Sequence, residues 1–572
     1  MTKRIIIPGP PGTGKTWKLV NEYLKEEKEK YNTPLKRIGF FTFSRNATKI
    51  SVSRATKLFN KIDYDEDLKY FCTLHALGTR ECGIDTKTQL LKGKKWDAFK
   101  TYVGGIAANL NFETYATEDG TMIYGNDYIK LINLARCRKI SLENQYALHE
   151  HLQDISFSNL EYLERCLIKY KEKKGMFEFI DMISEFIRRK KCPQFDAVFL
   201  DEAQDLNNLQ WEMFHYIESN AKRSYIAGDD DQAIMGFQGA NPTHFIRLHK
   251  DENTTVDRSL VKSRRVPREV LKLAKQILDR IPSDERVPKQ WKPRDFEGTV
   301  KYVSHFEQID YSKGKWMLMT RTNKMLEPLK DFFEDKGYYY GSKKGNNLVN
   351  VDLLQAIDTW RKLNQGQLMP AKLAKKMYGF MSVKGKSLKR NFGNGASLEA
   401  IIEDVINIED LRKEHGLLAT GSWEQALDKI TDKKRNFIIA MEKNGEDVSP
   451  EAKPRIKLST IHGAKGDERQ NTVLMLDIDY NSFNAYQKDP SPEHRLFFVG
   501  ITRTFENLYI VNPVGEYGYE ICVPTKNKLE DLIIPGLPFS QANLLMTTNC
   551  FLQKEMLLNI SADMHIKEES RI

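Results

Sequence analysis

One glycine-rich segment near the N-terminus restricts the possible folds more than any other part of this chain. It reads Gly-Pro-Pro-Gly-Thr-Gly-Lys-Thr at 9–16, follows the apolar run Arg4–Ile7 and precedes the helical pattern Trp17–Lys30. A strand, this loop and a helix together form a phosphate-binding loop, whose backbone N–H groups hold phosphates. A simple glycine turn would require neither the lysine nor the threonine. The predicted nucleotide site comprises Gly9, Pro10, Pro11, Gly12, Thr13, Gly14, Lys15 and Thr16, with Lys15 at the β and γ phosphates and Thr16 at Mg²⁺.

A pair of carboxylates at a second strand end fits the same chemistry. Asp201 and Glu202 follow the apolar run Ala197–Leu200. Alone, such a pair could equally cap the next helix. Beside a phosphate loop, Asp201 is placed to support Mg²⁺ and Glu202 to orient and deprotonate an attacking water. We therefore predict a nucleotide hydrolase that uses ATP and Mg²⁺.

The spacing of apolar runs predicts an α/β fold with two parallel-sheet domains, each interrupted by a mainly helical insertion. Runs that are apolar throughout indicate strands buried on both faces, whereas two Lys-, Glu- and Leu-rich stretches have helical spacing. The predicted boundaries are 1–82 and 196–255 for the first α/β domain, 83–195 for its insertion, 256–341 and 455–525 for the second α/β domain, 342–454 for its insertion, and 526–572 for a C-terminal tail.

Composition narrows the class of protein further. The formal charge of +10, from 88 basic and 78 acidic residues, favours a polyanionic partner. The seven cysteines contain no C-x-x-C pair, so neither a zinc site nor a disulfide framework is predicted. No apolar run approaches the ~20 residues that a membrane-spanning helix needs, and no segment has signal-peptide character. We expect an intracellular, cytoplasmic protein, at a nucleoid or a viral replication site, with no membrane partner.

Further motifs follow in a fixed order and carry a specific resemblance. They are Thr42–Ala47, Thr73–His75, Gly228–Ala240, Leu260–Arg265, Leu458–Glu468 and Phe498–Arg503. With the two strand-end motifs, this order resembles superfamily 1 helicases of the UvrD/Rep/PcrA branch, over nearly the whole chain. The resemblance implies two RecA-like domains with ATP at their interface, and translocation along single-stranded DNA in the 3' to 5' direction.

The resemblance also implies roles for individual residues. Lys15, Glu202, Gln232, Arg265 and Arg503 would be catalytic, with Gln232 sensing the γ phosphate and both arginines reaching it from the second α/β domain. Gly466 and Glu468 would lie at the nucleotide, Glu468 at its sugar. The DNA path would be lined by Phe43, Asn46, Thr73, His75, Phe237, Thr460 and His462, with bases stacked on the aromatic rings. Without the surrounding motifs, Phe43 and Phe237 would be interpreted more simply as buried core residues.

This chain departs from the family pattern in its third motif and at the predicted adenine site. The usual Tyr-x-Trp-Arg of the third motif is Met-Gly-Phe-Gln at 235–238, which removes an aromatic ring and a positive charge. Trp17 and Arg264 stand where relatives carry an Arg and a Tyr around adenine, so an aromatic–cation sandwich is predicted in reversed order. The simpler alternative is that Trp17 packs its helix and Arg264 is solvated. The second insertion contains a basic segment at 383–395. It is interpreted either as a loop that binds duplex phosphates or as a solvated surface loop, and the sequence favours neither.

The sequence favours an ATP-dependent DNA helicase acting on single strands and on junctions with duplex, with a role in repair or replication. A 5' to 3' motor of the related branch and a DNA-binding adaptor without efficient unwinding are the alternatives. The form of the Asp-Glu-Ala-Gln-Asp motif at 201–205 favours the UvrD branch over the 5' to 3' branch. The predicted catalytic residues Lys15, Glu202 and Gln232 argue against an adaptor.

Overall fold

The computed structural model describes residues 2–59, 62–117, 120–149, 155–342, 348–383, 387–402 and 404–521. The predicted C-terminal tail at 526–572 and part of the predicted basic loop lie outside these residues. The described chain forms two compact units. The first contains 2–300, 480–506 and 521, and the second contains 301–479 and 507–520. The four-domain division predicted from the sequence remains a proposal.

The structure contains sixteen strands among the described residues. They are β1 Lys3–Pro8, β2 Ile38–Thr42, β3 Phe71–Thr73, β4 Thr114–Ala116, β5 Met122–Tyr124, β6 Ala197–Asp201, β7 Arg223–Gly228, β8 Thr254–Val256, β9 Thr299–Val303, β10 Trp316–Thr320, β11 Tyr340–Ser342, β12 Met369–Pro370, β13 Val405–Ile406, β14 Ile456–Thr460, β15 Arg469–Met475 and β16 Thr504–Val511.

The α-helices pack on the sheets and fill the insertions. They are α1 Lys15–Lys18, α2 Lys25–Glu29, α3 Arg45–Leu58, α4 Tyr64–Asp67, α5 Leu74–Glu81, α6 Lys94–Val103, α7 Asp127–Arg138, α8 Leu142–Ala147, α9 Phe157–Lys174, α10 Asp181–Arg189, α11 Asn208–Ser219, α12 Thr243–Lys250, α13 Arg268–Leu278, α14 Glu327–Lys336, α15 Val351–Asn364, α16 Ala371–Tyr378, α17 Ile408–Lys413, α18 Trp423–Ala426, α19 Asp432–Lys443, α20 Tyr480–Lys488 and α21 Ser491–Ile501. A π-helical turn, Leu19–Leu24, joins α1 to α2.

The first unit is built on a six-stranded sheet with the order β3-β2-β6-β7-β1-β8. Its neighbouring strands pair in parallel. Strands β2 and β6 are buried along their whole length, which explains why their sequences are apolar on both faces. In a parallel sheet every strand points the same way, so all of the carboxyl ends lie on one edge. Ligands of open α/β sheets bind outside that edge.

A second six-stranded sheet, with the order β11-β14-β10-β15-β16-β9, carries the core of the second unit. Strand β10 pairs in parallel with β14 and with β15. Helices α15 and α16 bury one face each in a large apolar cluster that also contains Trp316 and Leu458 of the sheet. The α/β fold with two sheets of parallel strands that the sequence predicts is therefore confirmed.

The first insertion is mainly helical, but it also contains a hairpin that the sequence analysis did not predict. Strands β4 and β5 pair antiparallel, with Thr114 opposite Tyr124. Helices α6, α7 and α9 share an apolar cluster around Trp96 and Phe99.

A search of the described helices for membrane spans found none with the length and hydropathy that a span requires.

Candidate nucleotide and nucleic-acid site

The predicted phosphate loop connects β1 to α1 and has the backbone that phosphate binding requires. Gly12 and Gly14 have φ values of 74° and 96°, which favour glycine. The Lys15 ammonium donates to the carbonyl of Gly9 at 3.2 Å. The lysine is thus folded back over the loop, where it can meet a phosphate.

The acidic end of β6 lies beside this loop, as predicted. The Thr16 hydroxyl donates to Asp201 Oδ2 at 2.5 Å. Burial raises the pKa of Asp201 to about 6, the nearby Glu202 charge adds to this effect, and the Thr16 hydrogen bond opposes it. Glu202 is one of the few non-glycine residues with a positive φ, 55°. A left-handed backbone costs about 1–3 kcal/mol and often marks a functional position.

The third motif approaches the carboxylates from β7. Gln204 bridges the two strand ends, because its amide nitrogen donates to Glu202 at 2.5 Å and its oxygen accepts from the Asp229 backbone at 2.9 Å. Gln232 donates to Asp229 Oδ2 at 2.6 Å. The Arg503 guanidinium, only 2% exposed, donates to Gln232 Oε1 at 2.8 Å. Glu202, Gln232 and Arg503 are thereby brought into one hydrogen-bonded group.

The segment after β8 packs directly against the phosphate loop. Ser263 Oγ donates to the carbonyl of Pro11 at 2.9 Å, and the Arg264 backbone donates to the carbonyl of Gly12 at 2.9 Å. A Cβ on Gly12 would lie 2.6 Å from Ser263 Oγ and 2.7 Å from the Arg265 Cβ. Arg265 is therefore held at the loop, as a γ-phosphate contact requires. Arg264, Arg265 and Arg503 all belong to the same compact unit as the phosphate loop.

The predicted adenine pair, Trp17 and Arg264, is in contact. The Arg264 guanidinium lies 5.3 Å from the centre of the Trp17 ring, and Trp17 is 39% exposed. An exposed indole face beside a guanidinium is compatible with the predicted adenine pair, which remains a prediction. A purine that entered between the two side chains would have to separate them.

The motif Leu458–Glu468 lies in the second unit and begins at the end of β14. Thr460 ends this strand and accepts from the Gly463 backbone at 3.0 Å, which closes a tight turn. His462 lies in that turn, Gly466 has a φ of 86°, and Glu468 directly precedes β15. The strand end thus presents Thr460 and His462 on a short polar loop of this unit.

The predicted DNA-contacting residues of β2 and β3 lie on the same sheet edge as the nucleotide site. Thr42 is in register with Asp201 on one side and with Thr73 on the other. Phe43 therefore stands at the turn into α3, Asn46 in the first turn of α3 and His75 in the first turn of α5. Burial lowers the pKa of His75 to about 3, with the Arg45 charge as the second cause. His75 is neutral at physiological pH and can stack without carrying charge.

Sequence analysis missed Phe179, which extends this aromatic surface. Its ring stacks on that of His75 at 4.1 Å and 20°. Both rings line a cavity of about 580 Å³, together with Arg45, Arg80 and Tyr115. Cations beside aromatic rings are the combination that binds single-stranded nucleic acid. The sequence Phe-Ile-Asp at 179–181, where α10 begins, carries no signal that links Phe179 to α5.

The altered third motif has a partner in the unpredicted hairpin. Gln238 is buried, and its Oε1 accepts from the Met122 backbone at 2.6 Å. Phe237, directly before it, is 45% exposed. The residue that replaces the usual arginine thus ties the motif to β5, while the neighbouring ring stays accessible for stacking.

Comparisons with known proteins find similarity to DNA helicases. Residues 1–253 match the model of the UvrD/REP helicase N-terminal domain. An ATP-dependent DNA helicase PcrA of Leuconostoc citreum is 20% identical over 335 residues, 55% of this chain and 42% of the relative. PcrA of Bacillus subtilis (strain 168) is 22% identical over 276 residues, 47% of this chain and 33% of the relative. Rep of Buchnera aphidicola is 22% identical over 260 residues, 42% of this chain and 37% of the relative.

The chain therefore spans less than half the length of these curated relatives. The matched family domain begins at the phosphate loop's own strand and ends just before β8, so it contains the loop, the acidic strand end and the third motif. Residues 1–253 are therefore similar to the N-terminal domain of UvrD/REP helicases, and the parallel sheet of the first unit agrees with this similarity.

Proposed function

We propose that this protein is an ATP-dependent motor that moves along single-stranded DNA and separates strands at junctions with duplex. The observation that carries the proposal is the hydrogen-bonded group at one sheet edge, in which Glu202 is joined to Gln232 through Gln204 and Asp229. The relatives' name, ATP-dependent DNA helicase, supports the same activity.

Hydrolysis would use the residues that meet at the carboxyl ends of β1, β6 and β7. Glu202 would orient and deprotonate the attacking water, while Lys15, Arg265 and Arg503 would stabilise charge on the transferred phosphoryl group. The Thr16 hydroxyl and the Asp201 carboxylate, 2.5 Å apart, are oxygen ligands of the kind that Mg²⁺ takes. The pair therefore fits a nucleotide-bound Mg²⁺, which would neutralise phosphate charge.

The DNA strand would pass over the same sheet edge. Phe43, His75 and Phe237 offer stacking surfaces, and Asn46 and Thr73 offer polar contacts. The family resemblance also assigns Thr460 and His462 to DNA contacts and Gly466 and Glu468 to the nucleotide, and these four assignments remain predictions. Stacking contributes about 1–3 kcal/mol per base and does not depend on sequence, which suits a moving protein.

Direction follows the family resemblance, so 3' to 5' movement is proposed. Unwinding of a duplex with a 3' single-stranded tail, compared with one that has a 5' tail, tests it. We expect ATP-dependent separation of the 3'-tailed substrate only. Separation of the 5'-tailed substrate alone would assign the protein to the opposite polarity, and ATP hydrolysis without separation of either would favour a translocase or an adaptor.

The cellular location and process are also proposals. We expect the protein to act in the cytoplasm, at a nucleoid or viral replication site, in DNA repair or replication. The positive formal charge of +10 supports a nucleic-acid partner.

A further inference from the structure

A buried lysine outside the predicted catalytic set lies among three carboxylates. The Lys289 ammonium is 2.7 Å from Asp229, 2.5 Å from Asp230 and 2.9 Å from Asp231. Its side chain is 5% exposed. Arg286 pairs with Asp231 at 2.7 Å and contributes a second positive charge. Removing one partner from such a buried group leaves an uncompensated charge, so the lysine constrains all three carboxylates.

Asp229 connects this cluster to the candidate hydrolytic site. Its Oδ1 accepts from Lys289 at 2.7 Å and its Oδ2 accepts from Gln232 at 2.6 Å. Its backbone N–H donates to Gln204, whose amide nitrogen donates to Glu202. A shift of Asp229 would therefore displace both the proposed phosphate sensor and the proposed base.

The two ends of the Gln232 amide face groups of opposite charge. Its nitrogen donates to the Asp229 carboxylate, and its oxygen accepts from the Arg503 guanidinium at 2.8 Å. A flipped amide would place N–H groups against the guanidinium and oxygen against the carboxylate, where neither could form a hydrogen bond. The amide orientation thus depends on the Asp229 carboxylate staying in place.

We propose that Lys289 is a positioning residue for the hydrolysis reaction, which holds the Asp229 carboxylate so that Gln232 keeps its amide oriented between Asp229 and Arg503. This inference rests on the proposed function. Burial of Lys289 opposes its charge, but the three neighbouring carboxylates outweigh that effect and raise its pKa. The ammonium therefore stays charged where Asp229 needs it.

A purely structural lysine would behave differently in measurements on folded protein. Its loss would lower the free energy of unfolding without a specific effect on kcat. A positioning lysine affects kcat more than KM, because it acts on a group that stabilises the transition state. It also couples to Gln232, since two changes in one hydrogen-bonded chain are not additive.

The test is ATP hydrolysis by the full chain with a single-stranded oligonucleotide, over a range of ATP concentrations. The variants are K289M, K289R, Q232A and the K289M/Q232A double variant, and K292M is the control because Lys292 is exposed. We expect K289M to lower kcat by about 10- to 100-fold, since small misplacements have effects of that size. KM should change by less than about 3-fold, and K289R should recover part of the rate. The double variant should be no slower than the slower single variant.

If the wild-type protein hydrolyses ATP, an unchanged kcat in K289M would overturn the inference and leave the proposed function standing. The same holds if the fold-decreases in kcat of the two single variants multiply in the double variant. A wild-type protein without hydrolysis would overturn the proposed function and the inference with it. Circular dichroism checks that each variant is folded. If K289M does not fold, D229N replaces it, because the change is nearly isosteric and leaves Lys289 paired with Asp230 and Asp231. D229N is then expected to show the same fall in kcat, and an unchanged kcat would overturn the inference.

Discussion

At the scale of single residues, Glu202 is the proposed catalytic base and also has a strained backbone conformation. It stands in the left-handed region at φ 55°, directly after the buried Asp201. We expect Glu202→Gln to reduce ATP turnover by at least about 100-fold, because the amide keeps the size of the side chain but cannot accept a proton. Steady-state hydrolysis measures this effect, with Glu143→Gln as the control, because Glu143 is exposed on α8. Wild-type turnover in Glu202→Gln would remove this residue from the role of base.

A second residue-scale prediction concerns the contact between Trp17 and Arg264, whose guanidinium lies 5.3 Å from the ring centre. Adenine stacked on the indole should quench Trp17 fluorescence when a non-hydrolysable ATP analogue binds. Trp17→Ala should raise KM for ATP with a smaller effect on kcat, since it removes binding that ground and transition states share. Trp17→Phe, which keeps an aromatic face, should recover most of the affinity. Normal ATP binding by Trp17→Ala, with no quenching in the wild type, would place adenine elsewhere.

At the scale of elements, an ion pair fixes α11 to strand β1 of the first sheet. Arg4 of β1 donates to both carboxylate oxygens of Glu218, at 2.7 and 2.8 Å. Burial of Glu218 acts to raise its pKa, but hydrogen bonds from Arg4 and His215 and the Arg4 charge outweigh it and lower the pKa to about 2. A lowered carboxyl pKa contributes stability above the unfolded value, and this contribution is lost as pH falls from about 4.5 towards 2.

Glu218→Gln should therefore lower the free energy of unfolding at pH 7 by roughly 2–3 kcal/mol. The difference from wild type should shrink as pH falls below about 4, because the wild-type carboxyl then binds a proton. Urea unfolding at several pH values measures both effects. Glu212→Gln, on the same helix but in a surface pair with Lys139, is the control and should change stability by less than about 1 kcal/mol. A pH-independent difference would contradict the ion-pair explanation.

The elements that could be predicted from sequence are those with a strong local pattern. Strands β1 and β6 agree with the apolar runs Arg4–Ile7 and Ala197–Leu200 within one residue at each end, because strands that are buried on both faces are apolar at nearly every position. The β4–β5 hairpin was missed because each strand has only three residues and none of the six is fully buried. Phe179 and Lys289 were missed for another reason, since each gains its partners only through tertiary contacts.

At the scale of the whole molecule, the account predicts how DNA affinity responds to salt and sequence. Phosphate contacts and base stacking would provide most of the binding, so affinity for single strands should fall steeply with salt and differ little between base sequences. Fluorescence anisotropy with labelled oligonucleotides of different sequence measures this at several salt concentrations. Salt-independent binding, or a strong preference for one sequence, would count against a translocating motor.

The most direct test of the central claim is the rate of ATP hydrolysis by the full chain with and without single-stranded DNA. The account predicts a low rate without DNA and a rate at least about 10-fold higher with it, because a motor couples turnover to its track. Glu202→Gln should show neither rate while still binding the oligonucleotide. Equal rates with and without DNA, or stimulation that persists in Glu202→Gln, would contradict the account.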